Sequence, residues 1–99
     1  MPTTTQLLAN YPNPFNPETW IPFELSQDAA VTVTIYDVQG QRIRQLQRGL
    51  VTAGRYVIAD QAAYWDGKTE TGEMVGSGTY FYQLQAGDYT ETRKMVILK

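Results

Sequence analysis

The side chains with chemistry to offer in this 99-residue sequence are ten carboxylates, seven tyrosines and two tryptophans. Histidine and cysteine are absent, and serine occurs only as Ser26 and Ser77. The usual zinc ligand sets, Cys–His nucleophile pairs, haem ligation and Ser-His-Asp triads therefore have no material to work with. Disulfides are impossible, so cysteine usage does not report a redox compartment, and the core alone must hold the domain. Glycoside hydrolysis needs two carboxyls facing each other across a substrate cleft. The acidic residues here are scattered over turns and strand faces, and a chain of this length has little room for such a cleft. Their ordinary reading is a solvated surface.

Three local patterns deserve weighing. Asp66-Gly67-Lys68-Thr69-Glu70-Thr71-Gly72-Glu73 places oxygen ligands at alternate positions, as calcium loops do. Asp66 and Glu70 are the weak metal candidates, but Lys68 stands where a carboxylate is wanted, and a glycine-shaped turn explains the run equally well. The aromatics could form a sugar-stacking platform, with Trp20 and Tyr82 the residues to test. They are also what a small disulfide-free core requires, and Trp65 beside Asp66-Gly67 reads as a core plug at a strand end. Tyr80, Tyr82 and Leu84 share one parity and read as an inward stripe. The last run, Arg93-Lys94-Met95-Val96-Ile97-Leu98-Lys99, is an apolar strand with basic flanks. It is either a closing strand whose lysines guard its edge or a tag read by another protein, for instance by strand addition. None of Asn10, Asn13 and Asn16 opens a glycosylation sequon.

The elements that must position these residues are extended. No stretch sustains a 3.6-residue apolar period, and several show a period of two. Trp20–Leu25 reads as a strand with Pro22 marking an edge. Val31, Val33 and Ile35 alternate with polar neighbours in the clearest strand, followed by a turn at Asp37–Gly40. Further strands are expected at 41–47, 56–59, 63–65, 79–86 and 89–98, with a loop at 49–54, a turn-rich stretch at 66–78 and a tight hairpin at Gly87-Asp88. About seven short strands with glycine-bearing turns fit an antiparallel β-sandwich of immunoglobulin or fibronectin type III kind, with a small barrel as the alternative. Gly72, Gly76 and Gly78 are expected to supply positive-φ turns.

All five prolines fall in the first 22 residues. Residues 1–9 read as a linker remnant and residues 10–99 as the domain, with Asn10–Pro17 a stiff spacer holding an upstream cargo at a distance. The opening residues lack a signal peptide's basic start and apolar stretch, which suits a piece of a larger chain. A net charge of −2 with 18% charged residues excludes a phosphate-binding stripe, so nucleic acid is not an expected partner. No apolar run approaches the about 20 residues of a membrane-spanning helix. No cofactor is expected.

Four features occur in order: Tyr11-Pro12-Asn13-Pro14-Phe15; Val31–Asp37 with Gly40; Trp65-Asp66-Gly67 with Gly72, Gly78 and Tyr80; and Lys94-Met95-Val96-Ile97-Leu98-Lys99. Together they resemble the type A C-terminal sorting domains of the bacterial type IX secretion system, and also the related Ig-like domain of the flagellar hook-capping protein. The resemblance covers about residues 8–99 and implies a seven-stranded Ig-like sandwich at the end of a larger exported protein. It further implies passage through the periplasm to a secreted or cell-surface location. The implied partners are outer-membrane secretion machinery or a cell-surface component, together with a fused upstream cargo. Gly78 and Tyr80 match the family's Gly-x-Tyr strand, and Lys94–Lys99 match its terminal segment. The Trp65-Asp66-Gly67 turn leans toward the hook-capping branch, where a structural or attachment role replaces an address. A carbohydrate- or protein-binding accessory module and a plain spacer are the alternatives.

Overall fold

The structure, a computed structural model, describes residues 2–99. The described residues form nine strands: β1 (Gln6–Leu7), β2 (Thr19–Ile21), β3 (Phe23–Leu25), β4 (Ala29–Tyr36), β5 (Arg42–Val51), β6 (Gly54–Tyr56), β7 (Ala63–Trp65), β8 (Gly78–Ala86) and β9 (Tyr89–Ile97). One layer is the four-stranded antiparallel sheet β5-β4-β8-β9. The other consists of two small sheets, β1-β3-β6 and β2-β7. The all-β, antiparallel expectation holds, while the count is nine strands in three sheets rather than seven.

Of the two extra strands, one is β1 and the other has its physical origin at Pro22. Inward parity runs unbroken through Thr19, Ile21, Phe23 and Leu25, all of them buried. What changes at Pro22 is the partner. Upstream, Ile21 pairs with Ala63 of β7; downstream, Phe23 pairs with Leu7 of β1 and Tyr56 of β6. Proline has no N–H for a ladder, so it is a natural place to change sheets. A single expected strand thus serves two sheets.

Within the segment expected as a linker remnant, β1 joins the sandwich. Gln6 and Leu7 pair with Glu24 and Phe23, and Leu7 is buried. Met1 lies outside the described residues. The expected strand at 56–59 ends at Tyr56. Beyond it, the amides of Gln61 and Ala62 both donate to the Ile58 carbonyl in a turn. Strand β5 runs on to Val51, past the expected 47, because a bulge opposite Val31/Thr32 takes in Arg48 as an extra residue, next to Gly49 at φ 69°.

The core lies between the layers. Val31, Val33, Ile35, Tyr82, Leu84, Met95 and Ile97 meet Leu7, Ile21, Phe23, Leu25, Ala63 and Trp65. Trp65 is fully enclosed, as expected of a core plug. Gly76 keeps an ordinary φ, unlike Gly72 and Gly78, so that one expected turn position is not strained. Among the described residues no helix is long and apolar enough to cross a membrane.

Candidate functional site

The closing strand gathers the residues singled out at the sequence level. In the β8–β9 hairpin, Gly78 lies opposite Ile97 and Tyr80 opposite Met95. The run 95–98 is apolar at every position, and the structure sorts it by parity. Met95 and Ile97 are in the core, Val96 is half-buried, and Lys94, Leu98 and Lys99 are exposed. Neither Lys94 nor Lys99 has an ion-pair partner among the described residues. The Lys99 amide donates to Ser77 Oγ at 3.1 Å, and Tyr80 donates its hydroxyl to the Gly76 carbonyl at 2.9 Å.

The outer edge of β9 is not open at this end. Residues 11–15, expected to stiffen a spacer, fold back onto it. Phe15 donates its amide to the Val96 carbonyl at 3.1 Å and accepts from the Leu98 amide at 3.1 Å, forming a parallel bridge with Ile97. Asn13 Oδ1 accepts the Val96 amide at 3.1 Å. The Phe15 ring is 2% exposed and meets Trp65 edge-on, with centroids 5.8 Å apart. Hence Tyr11-Pro12-Asn13-Pro14-Phe15 is a strap across the terminal strand, and the motifs at the two ends of the sequence form one surface. Pairing between segments some eighty residues apart leaves no local signal in a sequence.

A buried polar knot anchors the strap's start. Asn10 donates its amide to the Tyr82 hydroxyl at 3.0 Å, and that hydroxyl donates to the Leu8 carbonyl at 2.9 Å. Asn10 Nδ2 donates to Thr19 Oγ1 at 3.0 Å, and Thr19 Oγ1 donates to the Pro12 carbonyl at 3.1 Å. Burial pushes the Tyr82 phenol above its ordinary range. Tyr82 is fully enclosed and so cannot serve a sugar platform.

Exposed aromatic surface occurs elsewhere. Tyr11, Trp20 and Tyr64 form a row on the β2–β7 sheet, with centroids 6.3 Å and 5.5 Å apart. Tyr11 donates its hydroxyl to the Val57 carbonyl, and Tyr64 donates to Glu18. That bond to a carboxylate lifts the Tyr64 phenol to about 12. Only Trp20 of this row was expected to be tested for sugar binding. The period-two spacing of Trp20 against buried Ile21, and of Tyr64 between buried Ala63 and Trp65, is the signal that places both rings outward.

The 66–73 loop encloses an internal cation, the Arg44 guanidinium. Arg44 Nη1 lies 3.1 Å from Asp66 Oδ1 and 3.1 Å from the Lys68 carbonyl, and its Nε is 3.6 Å from Glu70 Oε1. Trp65 Nε1 donates to the same Lys68 carbonyl at 2.9 Å, and Asp66 Oδ1 accepts the Lys68 amide. The oxygens that suggested a calcium loop are therefore engaged by arginine. Gly67 is required here. Its φ is 80°, and a Cβ would stand 2.3 Å from the Pro17 carbonyl oxygen.

The sandwich and its turns define an immunoglobulin-like domain. Residues 13–90 match the FlgD Ig-like domain family, and the chain belongs to that family. No curated protein matches. Two solved structures are similar over 96% of this chain. Dimeric latent PorU from Porphyromonas gingivalis has a TM-score of 0.69 at 20% identity. PorZ from the same organism, described as an essential bacterial surface component of the type-IX secretion system, has a TM-score of 0.62 at 17% identity. The chain spans only 9% and 11% of those two chains, and at these identities the likeness shows the fold.

Proposed function

We propose that this chain is a non-catalytic Ig-like domain of a larger exported bacterial protein, acting as a sorting signal or surface-attachment module through its terminal segment. The observation that carries this reading is the split of Lys94–Lys99. Met95 and Ile97 anchor the segment in the core, while Lys94, Leu98 and Lys99 face outward, the two lysines without an ion-pair partner among the described residues. A partner can read such a segment by shape and charge with no reactive group. The similarity to a domain-sized part of PorZ, described as a bacterial surface component, supports a cell-surface setting, which such a domain would reach through the periplasm. Secretion machinery or a surface component is the partner class.

Deleting Lys94–Lys99 removes Met95 and Ile97 from the core, so the sharper test keeps them. A full-length cargo carrying Lys94→Glu, Leu98→Asp and Lys99→Glu should remain in the periplasm with its domain folded. Unchanged surface display of that variant overturns the sorting role.

A second reading rests on the row Tyr11–Trp20–Tyr64: an accessory module that stacks a sugar or peptide on exposed aromatic rings. Trp20→Ala would abolish binding on a glycan array without loss of fold. Absence of any glycan binding by the wild-type domain removes this reading.

A further inference from the structure

The four-stranded sheet has an outer face, of the parity opposite to the buried Val33, Ile35, Tyr82, Leu84 and Met95. Residues directly opposite each other in a ladder share a face, so the registers set this one out in rows that cross all four strands. One row is Arg42, Tyr36, Phe81 and Lys94. The next is Gln45, Thr34, Gln83 and Thr92. The third is Gln47, Thr32, Gln85 and Thr90. The second and third rows hold only amides and hydroxyls. Several of these orient one another: Gln47 Nε2 donates to Gln45 Oε1 at 3.1 Å, and Gln83 Nε2 to Thr92 Oγ1 at 3.4 Å.

The charges in these rows are both positive. Arg42 and Lys94 are exposed, and neither has an ion-pair partner among the described residues. Carboxylates at the margins are already committed. Asp37 Oδ1 accepts the Gln39 and Gln41 amides, while Glu70 pairs with Arg44 and accepts the Gln45 amide. Between the two cations lie Tyr36 and Phe81, each partly exposed. Three rows about 7 Å apart on four strands about 4.8 Å apart make a surface of roughly 400 Å². A stable protein partner needs about 800 Å² on each side, so the face is too small for one. Its backbone groups are spent in the ladder, so it adds no peptide strand either.

From this geometry we propose that the outer face of β5-β4-β8-β9 binds a linear acidic polysaccharide, laid across the strands along the row from Arg42 to Lys94. A sugar ring sets its C–H face on Tyr36 and Phe81. Acid groups on that ring and its neighbours pair with Arg42 and Lys94, whose backbones stand about 14 Å apart across three strand spacings. Hydroxyls of the same chain bond to Gln45, Gln83 and Thr92 in the next row. The cations select an acidic glycan over a neutral one, and the amide and hydroxyl rows select a sugar over an acidic peptide. This face lies on the layer opposite the row Tyr11–Trp20–Tyr64, and the inference depends on neither reading of function given above.

The test is a titration of the whole chain, followed through its amide resonances, with four probes: oligogalacturonate, dextran sulfate oligomers, fully methyl-esterified oligogalacturonate, and a polyglutamate peptide. At least one of the two acidic glycans should shift the side-chain amides of Gln45 and Gln83 and the backbone amides of Tyr36 and Phe81. It should bind at least about tenfold tighter than the neutral ester or the peptide, and added salt should weaken it. The folded double variant Arg42→Gln, Lys94→Gln should lose about tenfold in affinity, as expected of two partly exposed ion pairs. Arg42→Gln alone leaves the terminal segment unaltered and should lose about threefold. Failure of both acidic glycans to bind overturns the proposal. So does equal binding of polyglutamate, which reduces the face to bare charge, or full affinity in the double variant. Shifts confined to Tyr11, Trp20 and Tyr64 would move the glycan to the other layer and likewise remove this site. The export assay on the charge-reversed tail reads a separate property, and its outcome leaves the titration unaffected.

Discussion

The four-stranded sheet has two edges, β5 and β9, and the chain covers them by opposite means. The β5 edge is closed by charge. Arg44 draws in Asp66, Glu70 and the Lys68 carbonyl, Glu70 also accepts the Gln45 amide at 2.9 Å, and Arg48 donates to the Gln61 and Ala62 carbonyls. The β9 edge is closed at its end by one apolar anchor and one bridging residue, Phe15. The first covering spreads its hold over many polar contacts. The second rests on the Phe15 ring and its backbone bridge, with Asn13 Oδ1 on the Val96 amide and the Asn10 knot behind them. An edge strand left bare invites pairing with other chains. Here one edge is held by dispersed polar contacts and the other by a folded-back strap.

Trp65 stands between the two coverings, packing on Phe15 and donating to the Lys68 carbonyl. Its replacement should break both. Trp65→Ala is expected to cost about 3–5 kcal/mol in denaturant unfolding, and a loss under about 1 kcal/mol would show that the edges do not depend on it. Gly67→Ala tests the junction where the loop meets the strap's exit. The clash with the Pro17 carbonyl, added to positive φ, should cost about 2–4 kcal/mol. Gly72→Ala, at φ 88° but with open space around it, should cost about 1–2 kcal/mol. If the two glycine variants melt together, the close approach at Pro17 is not limiting.

Arg44→Met keeps the stem and removes the charge. It should cost about 1 kcal/mol or less, since the pairs are partly exposed, and the difference from wild type should shrink in high salt. A salt-independent loss would assign Arg44's contribution to packing.

The smallest effect is expected at Tyr64, which ties β7 to Glu18 just past the strap. Its phenol is raised to about 12 in the folded state, so the folded chain holds that proton more tightly than the unfolded one. The stabilising contribution is complete below the ordinary phenol value. It is lost as pH rises from there through about 12. Tyr64→Phe should flatten that part of the stability-against-pH curve, and an unchanged curve would show that the bond to Glu18 is not maintained in solution.

Much of the fold was legible because a half-buried strand writes itself as a period of two. The alternation at 31–35, the Gly87-Asp88 hairpin and the plug at Trp65 all appear where the pattern places them. The pattern gives the face of a strand and not its partner, which is why Trp20–Leu25 reads as one element yet joins two sheets. The calcium-like loop illustrates the same limit. Its oxygens are visible in the sequence, but the cation that engages them comes from β5, 22 positions away from Asp66.

By itself the sequence determined the chemistry this chain lacks, the extended character of its elements and the parity that sends Val31, Val33 and Ile35 inward. Those follow from side-chain type and from a two-residue repeat, both of them local. The tertiary structure alone decided that a proline-rich opening would lie along the final strand, that Tyr82 would be sealed beneath it, and that Tyr11, Trp20 and Tyr64 would share a surface. These depend on which backbone groups find partners across long stretches of chain, and hydrogen-bond satisfaction over that distance is settled only when the layers close.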